Sequence, residues 1–133
     1  MVHVRQAVLD DVASHAREEA PFECCGLLVA SAGVIVESVR IRNLERSRTR
    51  YQIDPAQHIE TNRRLRGTGR AVAGAYHSHP ASPAVPSPSD LDEAHYSEFL
   101  YIIVSLAEAG AASVRGYRLE GGTFDAVALV PVP

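Results

Sequence analysis

The sequence has no lysine and no tryptophan, a single methionine and only two cysteines. Those cysteines, Cys24 and Cys25, are adjacent, too close for an ordinary disulfide. No Cys-x-x-Cys pair exists, which removes the ligand set of a zinc deaminase. Such cysteine usage fits a reducing compartment. Long apolar runs are missing too. Residues 100–106 form one of the longest, far short of the ~20 residues that span a bilayer. The stretch Met1 to Arg5 lacks the charged-then-apolar character of a secretory signal, so the expected location is cytoplasmic and no membrane partner is expected. A positive balance is absent as well: 13 basic residues, all arginine, stand against 16 acidic ones, for a net charge of −3. That excludes bulk attraction to nucleic acid.

What remains is a globular composition, with 46% hydrophobic and 22% charged residues in 133. The length predicts one domain over residues 1–133 with one sizeable core. Arginines crowd two segments: Arg40, Arg42, Arg46, Arg48 and Arg50, then Arg63, Arg64, Arg66 and Arg70. These are solvated surface or a patch for an acidic protein partner.

Periodicity predicts a strand near Val2–Arg5, a helix over about 7–19 stopped by Pro21, and strands at Cys25–Ala30 and Val34–Ile41. Asp54-Pro55 is a helix start, since the carboxylate caps and the proline has no N–H to lose; the helix should run to about Leu65. Ala71–His77 reads as strand, Tyr51–Ile53 as a possible short one, and about 88–96 as a short helix. The apolar Tyr101–Leu106 reads as a central buried strand, and about 112–119 and 123–130 as a hairpin turning at Gly121-Gly122. The count is six or seven strands with three helices, an α/β domain in layers.

One segment carries chemistry: His77-Ser78-His79-Pro80 followed by Ser87-Pro88-Ser89-Asp90. Residues two apart on a strand share a face, so His77 and His79 can offer two imidazoles to one point. A proline-stiffened loop then returns the chain to a new helix bearing Asp90. Two histidines and a carboxylate suit a catalytic zinc with an open position. The pattern H-x-H-x7-S-x2-D arises by chance on the order of 10⁻³ times per chain of this length. Each half has a plainer reading. The histidines can be hydrogen-bonded residues at a strand end. Ser87-Pro88-Ser89-Asp90 can be a helix cap, which would compete with a ligand role for Asp90. His3, His15, His58 and His95 have no partner spacing and read as surface or cap residues.

These residues resemble the JAMM (MPN+) metalloprotease motif, which adds a glutamate in a segment like P-x-E-x-C-G-L-L. Here that segment is Pro21-Phe22-Glu23-Cys24-Cys25-Gly26-Leu27-Leu28, and the resemblance runs from about Leu9 to Leu106. It implies Zn²⁺ held by His77, His79 and Asp90. Glu23 would be the general base, taking a proton from the attacking water and returning it to the leaving amine. Ser87 would donate a hydrogen bond to the oxyanion. Ser78 points to the other strand face and is assigned to packing, as are Cys24 and Cys25. The implied fold is a three-layer α/β, cytidine-deaminase-like (JAMM/MPN) fold, a mixed β-sheet flanked by helices.

Two departures narrow the activity. The Gly-Trp-Tyr found before the histidines in many eukaryotic members is Gly74-Ala75-Tyr76 here, and the long insertions that hold two ubiquitins are missing. The chain is most similar to short prokaryotic members, some of which free an amino acid or protein from the C-terminal glycine of a ubiquitin-like sulfur carrier, including cysteine from a carrier–cysteine adduct. The implied partner is a ubiquitin-like or sulfur-carrier protein with a Gly-Gly tail, which the Arg40–Arg50 segment is expected to contact on an acidic surface. A homodimer is one assembly the resemblance allows. The alternative function is a metal-free MPN-type protein-binding module.

Overall fold

The computed structural model describes residues 1–133. Strand β1 (Val2–Arg5) leads into helix α1 (Gln6–Glu19), which buries Val8, Val12, His15 and Ala16 along one stripe. Strands β2 (Cys25–Ser31) and β3 (Val34–Ile41) form an antiparallel pair. Helix α2 (Pro55–Leu65) starts where Asp54 accepts the Ala56 N–H at 2.9 Å. Strand β4 (Ala71–His79), helix α3 (Pro88–Glu93) and strand β5 (Leu100–Ser105) follow, then β6 (Ser113–Glu120), β7 (Thr123–Val127) and β8 (Leu129–Val132). No helix is long and apolar enough to cross a membrane.

All eight strands make one mixed sheet in the order β7-β6-β5-β4-β2-β3-β1-β8. The β1–β3, β1–β8 and β4–β5 pairs are parallel and the rest antiparallel. Strands β7 and β8 are separated only by Ala128, yet they occupy opposite ends of this order. The sheet must therefore curl until its edges approach. Leu129 of β8 accordingly fills the space where a Cβ on Gly116 of β6 would sit, 2.6 Å from it. The concave face wraps α1 around Val4, Val12, Leu28, Tyr76, Ile102 and Val104. The outer face packs Leu27, Ala75, Tyr101 and Ile103 beneath Tyr51 and Phe99, on the side of α2 and α3. Every residue of β5 is buried, as its apolar run predicts. Each such large side chain contributes about 1.5–3 kcal/mol.

Four expectations need revision. The strand expected at 123–130 is two strands, because the Ala128 carbonyl accepts the Val2 N–H at 2.8 Å and redirects the chain to the far edge. The sheet therefore has eight strands. Tyr51–Ile53 contributes only a single bridge, Ile53 with Asn43. Strand β4 extends two residues further than expected, through His79. His15 is buried, not on the surface, and shares a 2.7 Å hydrogen bond with the Tyr76 hydroxyl.

Candidate metal centre

The pleat of β4 sorts its C-terminal residues. Cys25 of β2 pairs with His77, and the Ser78 N–H donates to the Cys24 carbonyl at 3.1 Å, so the same register sets Glu23 opposite His79. Tyr76 and Ser78 face α1, while His77 and His79 face the outer side. The adjoining Gly26 has no room for a side chain, since the Tyr76 ring occupies that space. The Ser78 hydroxyl accepts the Cys24 N–H at 2.8 Å, which confirms its packing role.

Asp90 arrives on the first turn of α3. The loop before it is tied to the sheet at three points. The Ser105 hydroxyl donates to the Ser82 carbonyl, the Tyr117 hydroxyl donates to the Ala84 carbonyl at 2.6 Å, and His79 Nδ1 meets the Pro83 carbonyl at 2.7 Å. A carbonyl only accepts, so Nδ1 of His79 carries a proton, which in the neutral ring leaves the Nε2 lone pair turned to the centre. His77 Nε2 lies 3.1 Å from Asp90 Oδ1, and His79 Nε2 lies 3.0 Å from Asp90 Oδ2. One donor atom from each of the three residues falls within 4.8 Å of the others. The ring of Tyr51 stacks on His77 with centroids 4.2 Å apart, fixing its plane.

The helix cap and the acid cluster coexist at Asp90. Its backbone N–H donates to the Ser87 hydroxyl at 3.1 Å, while its Oδ2 accepts the Ser87 N–H at 2.9 Å. The expected competition does not arise, because the capping box itself aims the carboxylate at the histidines. Ser87 Oγ accepts from the Asp90 N–H and shares a 3.0 Å hydrogen bond with Ser89 Oγ; when Ser89 donates there, the Ser87 proton is left to donate elsewhere.

The electrostatics fit a cation. Burial opposes ionisation of Asp90, but the close His77 and His79 rings and the Ser87 N–H overcome it and hold the carboxyl well below the usual range. Burial lowers the His77 pKa despite Asp90. It also works against protonated His79, but contacts with Asp90 and Pro83 win and raise that group. Glu23 is only 4% exposed. Burial, reinforced by Asp90 and opposed by His79, pushes its carboxyl up to about 8. Glu23 Oε1 is a buried acceptor with no donor, and Asp90 Oδ1 is buried with no well-formed hydrogen bond, the His77 ring nitrogen lying 3.1 Å away. Acceptors left short of donors beside two imidazole nitrogens form a set that a divalent cation would satisfy.

Two contributors carry no signal in the sequence. Tyr51 is one. Asn43 is the other: its side chain donates to the carbonyls of Glu23 (3.1 Å) and Arg50 (3.0 Å) and accepts from the Glu45 and Gln52 N–H groups. The Glu23 N–H in turn donates to the Ser47 carbonyl at 2.7 Å. Cys24 and Cys25 are both buried free thiols, and burial pushes Cys24 up to about 11 and raises Cys25 further.

Residues 5–119 match the family described as prokaryotic homologs of the JAB domain. A CysO-cysteine peptidase of Mycobacterium tuberculosis is 29% identical over 121 residues, which cover 90% of this chain and 83% of that protein. A desampylase of Haloferax volcanii is 33% identical over 103 residues, 72% of this chain and 74% of the other. A probable TtuB-protein conjugate cleaving protease of Thermus thermophilus is 32% identical over 123 residues, 92% and 78% of the two chains. Among solved structures, a Desulfitobacterium hafniense protein superposes with a TM-score of 0.88 at 26% identity, covering 99% of this chain and 93% of its own. A structure described as a JAMM metalloprotease-like zinc site in the proteasome and signalosome shares the fold, with a TM-score of 0.64 at 22% identity over 100% and 99% of the chains.

Proposed function

The chain belongs to the family of prokaryotic homologs of the JAB domain, and from that premise we propose that it is a zinc-dependent peptidase or isopeptidase. Its relatives' names support a hydrolase acting on peptide bonds of ubiquitin-like or sulfur-carrier proteins. The bond cleaved here joins a carrier's C-terminal Gly-Gly tail to an amino acid, cysteine included, or to a protein. The observation that carries this reading is the convergence of His77, His79 and Asp90 opposite a buried, unpartnered Glu23.

His77, His79 and Asp90 would hold the metal, and their two nitrogens and one oxygen suit zinc. Bound there, zinc would act as a Lewis acid toward water and the scissile carbonyl. Glu23, ionised once a cation stands beside it, would take a proton from the attacking water and deliver it to the leaving amine. Its burial keeps bulk water from competing for that proton. Ser87 would donate a hydrogen bond from its hydroxyl to the oxygen that becomes negative during attack. Pro83 holds the His79 tautomer, and Tyr51 holds the His77 ring plane.

Metal content is the first test. Protein purified without chelator or tag should carry about one zinc per chain, and His77→Ala none. Wild type should then release cysteine or protein from a Gly-Gly carrier adduct. Absence of zinc in both proteins, even after Zn²⁺ is added, would overturn the hydrolase and leave a metal-free binding module.

A further inference from the structure

Five arginines crowd residues 40–50, and the fold divides them. Arg40 pairs with Asp11 at 2.9 Å and Glu18 at 2.7 Å, pinning β3 to α1. Arg42 faces Asp54 at 3.9 Å. Arg46, Arg48 and Arg50 are exposed and pair with no carboxylate. The second arginine group is largely spent, with Arg63 on Glu60 and Arg64 and Arg70 on Glu37.

The loop that carries the three free arginines is held in place. Asn43 uses its amide on four backbone groups, the Leu44 N–H donates to the Gln52 carbonyl at 3.0 Å, and the Thr49 N–H donates to the Ser47 hydroxyl at 3.1 Å. Arg46 adopts a φ of +39°, a left-handed conformation that a non-glycine residue keeps only where its surroundings impose it. Its guanidinium lies 4.9 Å from the centre of the Phe22 ring. Phe22 precedes Glu23, and both line a cavity of about 380 Å³ with Arg42, Asn43, Leu44 and Arg46. Arg46 therefore stands beside the base, with Arg48 and Arg50 following on the same pinned loop.

We propose that Arg46, Arg48 and Arg50 form the docking surface for an acidic face of the ubiquitin-like carrier. They hold the folded body of the carrier while its tail reaches Glu23 and the His77–His79–Asp90 centre. This rests on the activity proposed above. Guanidinium groups grip fixed carboxylates in paired hydrogen bonds, and a folded carrier presents such carboxylates at fixed spacing. A nucleic acid is disfavoured, because the chain is net negative and these cations form one short cluster, not a stripe.

The test uses an acidic ubiquitin-like carrier ending in Gly-Gly, with cysteine joined to its C-terminus, and the same carrier with surface Asp and Glu changed to Asn and Gln. Wild type should cleave the acidic adduct with a KM that rises with salt. The triple variant Arg46→Glu, Arg48→Glu, Arg50→Glu should raise KM about tenfold or more and flatten the salt dependence. The milder Arg46→Gln, Arg48→Gln pair should move KM the same way by less. Arg66→Glu, on an unpaired arginine at the end of α2, should change neither. The neutralised carrier should bring wild type down to the level of the triple variant. A KM indifferent to salt and to reversal overturns the docking surface. Binding of the free acidic carrier, measured alongside, separates the two readings. Salt-dependent binding without cleavage overturns the activity and supports the docking; cleavage with binding undiminished by reversal overturns the docking alone.

Discussion

Tyr76 and Ser78 alternate with His77 and His79 along one strand, and the two sets live in different worlds. On the concave side, each buried polar group has its partner: the Tyr76 hydroxyl with His15, and Ser78 with the Cys24 N–H. On the outer side, Glu23 Oε1 is buried with no donor, and Asp90 Oδ1 has only the His77 ring nitrogen at 3.1 Å, without a well-formed hydrogen bond. Both sides are equally dry. Burial therefore does not mark the site; unpaired acceptors standing beside imidazole nitrogens do. An unpaired buried acceptor costs about 1–3 kcal/mol; Glu37 Oε1 has Arg70 within 3.8 Å, whereas Glu23 and Asp90 keep theirs beside two imidazoles, where a ligand can satisfy them.

The contrast can be broken first at the base. Glu23→Gln should keep the metal and lower kcat by about 10²–10⁴, read from carrier-adduct turnover beside metal content. Retained turnover in that variant would remove Glu23 from the mechanism. Next comes the hydroxyl at the helix cap. Ser87→Ala should retain zinc and lower kcat by about 10²–10³, along with a loss of about 1 kcal/mol in stability from the missing cap. Across the strand, Ser78→Ala should do the reverse. It leaves the buried Cys24 N–H unpaired and costs about 1–3 kcal/mol in a denaturant melt, with kcat unchanged.

The smallest effect is a pH dependence. In metal-free protein the Glu23 carboxyl sits at about 8, against an ordinary 4.5. Between those values the folded state retains a proton that the unfolded state has shed, so stability falls as pH rises through that window. Glu23→Gln removes this slope. Metal-free Glu23→Gln should therefore gain at least about 2 °C in Tm over wild type at pH 8.5, and less at pH 5. An equal gain at both values would show that the carboxyl titrates normally.

Much of this was legible in the sequence, for local reasons. Strand β3 and helix α2 fall on their expected bounds, because alternation marks the strand and Asp54-Pro55 marks the helix start within a few residues. The motif residues His77, His79, Ser87 and Asp90 are identifiable by spacing and Glu23 only through the family resemblance; the fold brings the two histidines and Asp90 together, with Glu23 opposite His79. What was missed depends on distant partners. His15 looks like any polar helix residue until Tyr76, far along the chain, meets it. Tyr51 and Asn43 sit in a polar stretch with no periodicity, and their roles exist only once β2 and β4 are adjacent. The eighth strand escaped notice because nothing near Ala128 encodes a jump to the opposite edge of the sheet.

That jump also orders events in time. The register of β1 on β8 joins residues 2–5 to residues 129–132, so the last seam of the curled sheet closes a loop made of nearly all the described chain. Such a loop has the largest entropy of closure in the molecule and gains only a four-residue strand in return. Strand β8 should therefore zip in late during refolding, and its amide hydrogens should exchange with solvent before those of β5 at the centre.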